Sequence, residues 1–286
     1  IDWAFLEHPY HAFAHPDYPP LVPLDYVFLA LQRGAWDDRH LGLLTTLFAA
    51  ALLFLVRDAF ADELPPFLAS LATFGVASLA LTQWIGMAEA PFIAYSTSAL
   101  LMLRRGSTNL GIALLGFAAL TKNEGLALLV AVLIVRPRVW PAIAIPAPWL
   151  VLRTVHALPT DLASGDVVAR AFRQFGDVLQ VMATTPLHHA LFWIAAVIAV
   201  VFFARKEKFV LSVLALQLLF YIAAFAVTPN DVHWHIADSW PRLAEHFAVP
   251  LGFMALLGCG HYFSPSGGIL WTAVVGSGTK LSIERQ

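Results

Sequence analysis

Nine apolar runs punctuate this 286-residue chain, at roughly 41–56, 65–83, 90–103, 109–121, 125–135, 139–152, 189–204, 209–227 and 243–259, and almost no charge interrupts them. A soluble fold of this length still needs a polar shell. Charged residues make up only 13% of the chain against 59% hydrophobic, about half the charged share of an ordinary soluble domain. With a mean hydropathy of +0.72, both a soluble globular enzyme and a disordered chain are excluded. Several runs fall short of the ~20 residues that cross a bilayer, but flanks such as Arg104 and Lys122 extend them by snorkelling. The two-residue alternation of a membrane barrel is absent. The expected class is therefore all-α: a polytopic helical membrane protein with about nine transmembrane helices, eight or ten being close alternatives.

Basic residues set the sidedness. With the N-terminal segment outside, the connections 57–63, 104–107, 136–138 and 205–208 fall inside and hold eight of the seventeen Lys and Arg residues. Their density in such short turns is what the positive-inside rule reads. Only four of nineteen acids fall there (Asp58, Asp62, Glu63, Glu207), and eight of eleven histidines fall in the segments 1–40, 153–188 and 228–242 assigned to the outside. The expected location is the bacterial inner (plasma) membrane, with the chemistry on the extracytoplasmic face.

The organisation follows. Residues 1–40 are expected to form an outer loop whose apolar stretch Leu21–Leu31, broken at its start by Pro19, Pro20 and Pro23, is too short to span and reads as an interfacial or re-entrant helix. Residues 41–260 form the helical bundle, and 261–286 a tail with no readable signal. In the outer loop 153–188, Val168, Phe172, Phe175, Leu179 and Met182 recur at helical spacing. That stripe suits either an amphipathic helix lying on the membrane or a lid packed on the bundle. The chain opens with Ile1 rather than Met, which reads as a fragment, and shows no signal peptide. Its one cysteine, Cys259, excludes an internal disulfide and a cysteine zinc site. A net charge of −2 argues against nucleic acid as a partner.

Four constellations could carry chemistry. In His15-Pro16-Asp17-Tyr18-Pro19-Pro20 the prolines hold the backbone extended and make a rigid polar cluster, or merely a surface turn. Glu89 stands before Pro91 at the mouth of an apolar run. It either faces a cavity or partner, or caps a helix dipole. In Thr121-Lys122-Asn123-Glu124-Gly125, Lys122 either neutralises Glu124 across a tight turn or meets a phosphate. In the stretch Asp231–Arg242, His233 and His235 would share a face on an extended segment and could bind a divalent metal there. Asp238 follows them, and Arg242 is a bidentate phosphate candidate or a helix-start ion-pair partner of Glu245. No nucleophile elbow, P-loop or dinucleotide fingerprint is present.

Those stretches, His15 to Leu21, Glu89-Ala90-Pro91, Leu120 to Gly125 and Asp238 to Leu243, resemble in type and order the bacterial polytopic glycosyltransferases of the GT-C superfamily. The likeness is to the group related to protein O-mannosyltransferases and aminoarabinose transferases, and spans about 10 to 245. The resemblance implies a glycosyltransferase that moves a sugar from a polyprenyl-phosphate donor to an acceptor on the extracytoplasmic face, with inversion by single displacement. It makes Glu89 and Asp17 the carboxylate candidates, and Lys122, Arg242, His15 and Tyr18 the donor-phosphate candidates. Glu124, His235 and Asp238 are secondary. The family's principal carboxylate follows a first helix that would lie upstream of this chain, and its lysine near the Pro-Pro motif is replaced here by His15 or Tyr18. Two other readings compete: a flippase or transporter of a lipid-linked substrate, and a sugar-polymer polymerase or ligase using Arg153, Arg170 and Arg173.

Overall fold

A computed structural model describes residues 17–37, 41–81, 88–158, 166–187, 193, 197 and 207–263. Among them the chain is all-α. The helices are α1 (Leu21–Arg33), α2 (Leu41–Ala61), α3 (Pro66–Leu81), α4 (Glu89–Arg104), α5 (Thr108–Thr121), α6 (Asn123–Val135), α7 (Ala147–Val155), α8 (Val167–Thr184), α9 (Lys208–Ala226) and α10 (Val232–Phe263), with a 3-10 helix over Pro137–Ala144. Two of these, over Gly42–Ala61 and Lys208–Ala226, are long and apolar enough to cross a membrane. The apolar helices Thr108–Thr121 and Asn123–Val135 are shorter, about 20 Å each at 1.5 Å per residue.

The run at 139–152 is not one helix. Pro137 opens the 3-10 helix, Pro141 lies inside it, and Pro146 and Pro148 restart the chain as α7. Each proline removes a helical donor and crowds the preceding turn, so a continuous span cannot form. The polar segment 228–242 is mostly helical. Asp231 accepts a hydrogen bond from Trp234 N at 2.8 Å, capping a helix that then runs for 32 residues. The polar stretch is thereby the first turns of α10. The run at 189–204 lies outside the described residues apart from Trp193 and Val197, as do the N-terminal 16 residues, including His15, and the tail beyond 263.

Hairpin-like packing joins consecutive helices, α2 with α3, α4 with α5 and α5 with α6, while α10 packs on α3, α4 and α8. Phe60, Phe92, Leu100, Leu115, Leu128, Ile236 and Phe253 are fully buried in one core. The α5–α6 corner turns on a single extended residue, Lys122, at φ −151° and ψ 159°. The two helices approach so closely that a Cβ on Gly125 would overlap the Ala118 carbonyl. A glycine is required there for want of space rather than for its backbone angles.

The charged residues gather at the two ends of this bundle. At one end Arg104 binds Glu63 at 2.5 Å and Glu207 with two donors at 2.6 and 2.8 Å. Arg105 binds Asp58 at 2.6 Å and Asp62 at 2.7 Å. Arg136 donates to the Leu103 carbonyl at 2.7 Å and lies over Phe209. The four acids assigned to the inner side by sequence thus all pair with Arg104 and Arg105, which are neutralised rather than left as net positive charge. At this end the ion pairs hold the Arg104 and Arg105 guanidiniums above their ordinary pKa, their partner carboxylates outweighing burial.

Candidate functional site

The opposite end is built by four segments. Helix α4 begins at Glu89, whose side chain is 2% exposed. The α5–α6 corner supplies Lys122 and Asn123, helix α10 supplies Asp238 and Arg242 one turn apart, and the Pro-Pro segment brings in Asp17 and Tyr18.

Lys122 Nζ donates to Glu89 Oε1 at 3.0 Å and lies 3.2 Å from Glu124 Oε1. Arg242 Nη1 donates to the same Glu89 oxygen at 3.3 Å, and its Nη2 lies 3.7 Å from Asp238. One buried carboxylate oxygen therefore gathers two cations, from the α5–α6 corner and from α10, 33 and 153 residues away in sequence. Burial pulls the Lys122 ammonium down, but Glu124 and Glu89 outweigh it, so its pKa stands above the ordinary value. Burial of the phenol, with Glu124 adding to it, pushes Tyr18 up to about 12, so its hydroxyl stays neutral beside the cluster.

A second triangle braces the first. Asn123 Nδ2 donates to Asp17 Oδ2 at 3.3 Å, Arg153 Nη1 donates to Asn123 Oδ1 at 3.4 Å, and Arg153 Nη2 lies 3.6 Å from Asp17. Asp17 is buried. Asn123 and Arg153 were not among the sequence candidates for this place. Asn123 sat in plain view inside the Lys122 motif, whereas nothing local tied Arg153 to it.

Glu89, Lys122, Glu124, Asp17, Tyr18, Arg242 and Asp238 are brought together. His15 lies outside the described residues. His235 is not in the cluster: its Nδ1 is 2.8 Å from Thr228 Oγ1 and its ring meets Phe225 edge-on. Because residues 232–242 are helical, His233 and His235 point to different faces, and the extended arrangement that would let them share a metal does not form. No group of three His, Cys, Asp or Glu able to hold a metal occurs among the described residues.

One turn into the bundle from Arg242 lies His246, 2% exposed, with its ring edge-on to Phe92 at 4.4 Å. Gln217 Nε2 lies 2.7 Å from Tyr221 Oη, which is 2.8 Å from His246 Nδ1. The open groove of about 820 Å³ is elsewhere, at the Arg105 end, lined by Phe54, Asp58, Asp62, Met102 and Ser107 among others. Its paired acids and arginine are structural ion pairs, so the chemistry is read from the Glu89 cluster.

Comparison with family models, curated proteins and solved structures finds no match for this chain.

Proposed function

We propose that this chain is part of a multi-pass membrane glycosyltransferase that transfers a sugar from a polyprenyl-phosphate donor, with its site at the Glu89 end facing the extracytoplasmic side. The observation that carries the reading is the convergence of Lys122 and Arg242 on one buried oxygen of Glu89. An apolar bundle tolerates buried charge only where it is paired or functional. Here two cations, one of them a third exposed, stand ready at one end. The exposed apolar faces of α1 (Leu24, Val27, Phe28, Leu31) and α8 (Val168, Phe172, Phe175, Leu179) support a bilayer setting. Helix α8 also packs Val178 and Val181 on the bundle, which is the packed arrangement of the two expected of it.

In this reading the acceptor oxygen attacks the anomeric carbon, its proton passes to a carboxylate, and the C–O bond to the lipid phosphate breaks. Arg242, and behind it Lys122, stabilise the charge that grows on the departing phosphate. Glu89, already holding both cations, positions them, which leaves Asp17 as the carboxylate assigned to the acceptor in this reading. A carrier is the second reading, supported by the Gln217–Tyr221–His246 chain inside the bundle. The two part on product: membranes holding the full-length protein release polyprenyl phosphate from polyprenyl-phosphate hexose or pentose if it is a transferase, and move the intact lipid if it is a carrier.

A further inference from the structure

The buried layer beneath the ionic cluster holds a group that neither the cluster nor the fold uses up. Gln217, Tyr221 and His246 form a directed chain. The Gln217 amide N–H donates to Tyr221 Oη at 2.7 Å, so the single phenolic hydrogen is left to donate to His246 Nδ1 at 2.8 Å. An Nδ1 that accepts places the proton of a neutral imidazole on Nε2. That Nε2 is buried and has no hydrogen-bond partner among the described residues. Buried N–H donors are nearly always satisfied, and an orphan one calls for an acceptor not yet in place.

The position of His246 says what kind of acceptor. It lies four residues after Arg242 on α10, and its ring meets Phe92, three residues after Glu89 on α4. It therefore forms the layer directly under the Arg242–Glu89 contact, within electrostatic reach of Lys122 and Arg242. Glu245 neighbours it on α10, and Tyr221 and Gln217 face it from α9. The two cations already serve anionic oxygens, so the donor beneath them suits an uncharged one.

We propose that His246 Nε2–H is a ligand contact at the floor of this site, donating to a hydroxyl oxygen of the sugar. This rests on the lipid-linked donor reading. At 3.3 Å the Arg242–Glu89 bond is the longest of those on Glu89, and Arg242 is its more exposed partner. A lipid phosphate that draws Arg242 away opens the layer below, where the sugar meets the imidazole. His246 then acts on sugar recognition, not on the phosphate.

Nitrogen-15 resonances of labelled histidine in the full-length protein, assigned through His246→Gln, test this without an activity assay. The expected ligand-free state is the Nε2–H tautomer at neutral pH; an Nδ1–H tautomer, which follows if the Gln217 amide is turned over, overturns the proposal. The probes are polyprenyl phosphate and a panel of polyprenyl-phosphate hexoses and pentoses. Sugar-bearing lipid should shift the Nε2 signal and bare polyprenyl phosphate should not. A shift with both, or binding of the sugar lipids without a shift, overturns the His246 role and leaves the donor reading standing. If none of these lipids binds, both readings fall. In transfer kinetics, His246→Gln, whose amide nitrogen reaches the Nε2 position, should keep KM near wild type. His246→Asn, which restores only the Tyr221 bond, should raise KM about tenfold or more. Equal rescue by Asn would make His246 a structural residue and end the proposal.

Discussion

The Lys122 ammonium rests 3.0 Å from the Glu89 carboxylate, with both side chains almost wholly buried. A pair this deep is fragile to single changes, because removing Glu89 leaves the buried Lys122 with Glu124 alone and Arg242 with Asp238 alone. Glu89 carries more than its share, since Arg242 uses the same oxygen.

Glu89→Ala should therefore destabilise the bundle by about 3–5 kcal/mol, the range for breaking a buried pair. Glu89→Gln, which keeps an acceptor oxygen of the same reach, should cost less. Unfolding in mild detergent measures both. An Ala variant as stable as wild type would mean that Lys122 is held by Glu124 alone.

Alkaline pH should weaken the same end. The folded pKa of Lys122 is raised above 10.5, so its stabilising contribution is complete below about that value and is lost as pH climbs through the raised one. Tyr18 moves from 10.0 to about 12. Its phenol ionises first in the unfolded chain, so stability again falls with rising pH, between 10 and 12. The unfolding midpoint should drop across this window, and Tyr18→Phe should flatten part of the drop. A midpoint unchanged or rising above pH 10 would contradict both assignments.

The sequence disclosed the two-ended charge pattern but not its pairing. Lys122 and Glu124 are neighbours at a turn, and local reasoning pairs them; the 3.2 Å contact exists. The motifs already suggested one site for Glu89, Lys122 and Arg242; what local reasoning leaves out is that both cations pair directly with one Glu89 oxygen, which depends on how α4 packs against the α5–α6 corner and α10. Prolines at 137, 141, 146 and 148 were visible breakers inside an apolar run, yet hydropathy averages over them. Whether His233 and His235 share a face depended on whether their segment is extended or helical. Asp231 is a good helix cap, and a capped helix separates residues two apart that a strand would align. His246 stood four residues from Arg242, the spacing of one helix face, and only the α9 partners Tyr221 and Gln217 reveal what it does.

Sidedness is open to labelling. In a Cys259→Ala background, Gly165→Cys should react with a membrane-impermeant thiol reagent in intact cells, and Lys206→Cys should react only after permeabilisation. The expectation follows from the density of basic residues in the turns at 104–107, 136–138 and 205–208. Reaction at 206 alone in intact cells would invert the topology and put the Glu89 end in the cytoplasm.

The central claim is that Lys122 and Arg242 serve a lipid phosphate. The most direct measurement is sugar transfer from polyprenyl-phosphate sugar by the full-length protein, comparing Lys122→Ala with the double variant Lys122→Ala/Glu124→Ala. Lys122→Ala should lose about 2–4 kcal/mol of transition-state stabilisation, Lys122→Arg should keep part of the activity, and the double variant should remain as impaired as the single one. Restoration of the double variant to near wild-type turnover would show Lys122 to be a neutralising partner of Glu124 and would contradict the account.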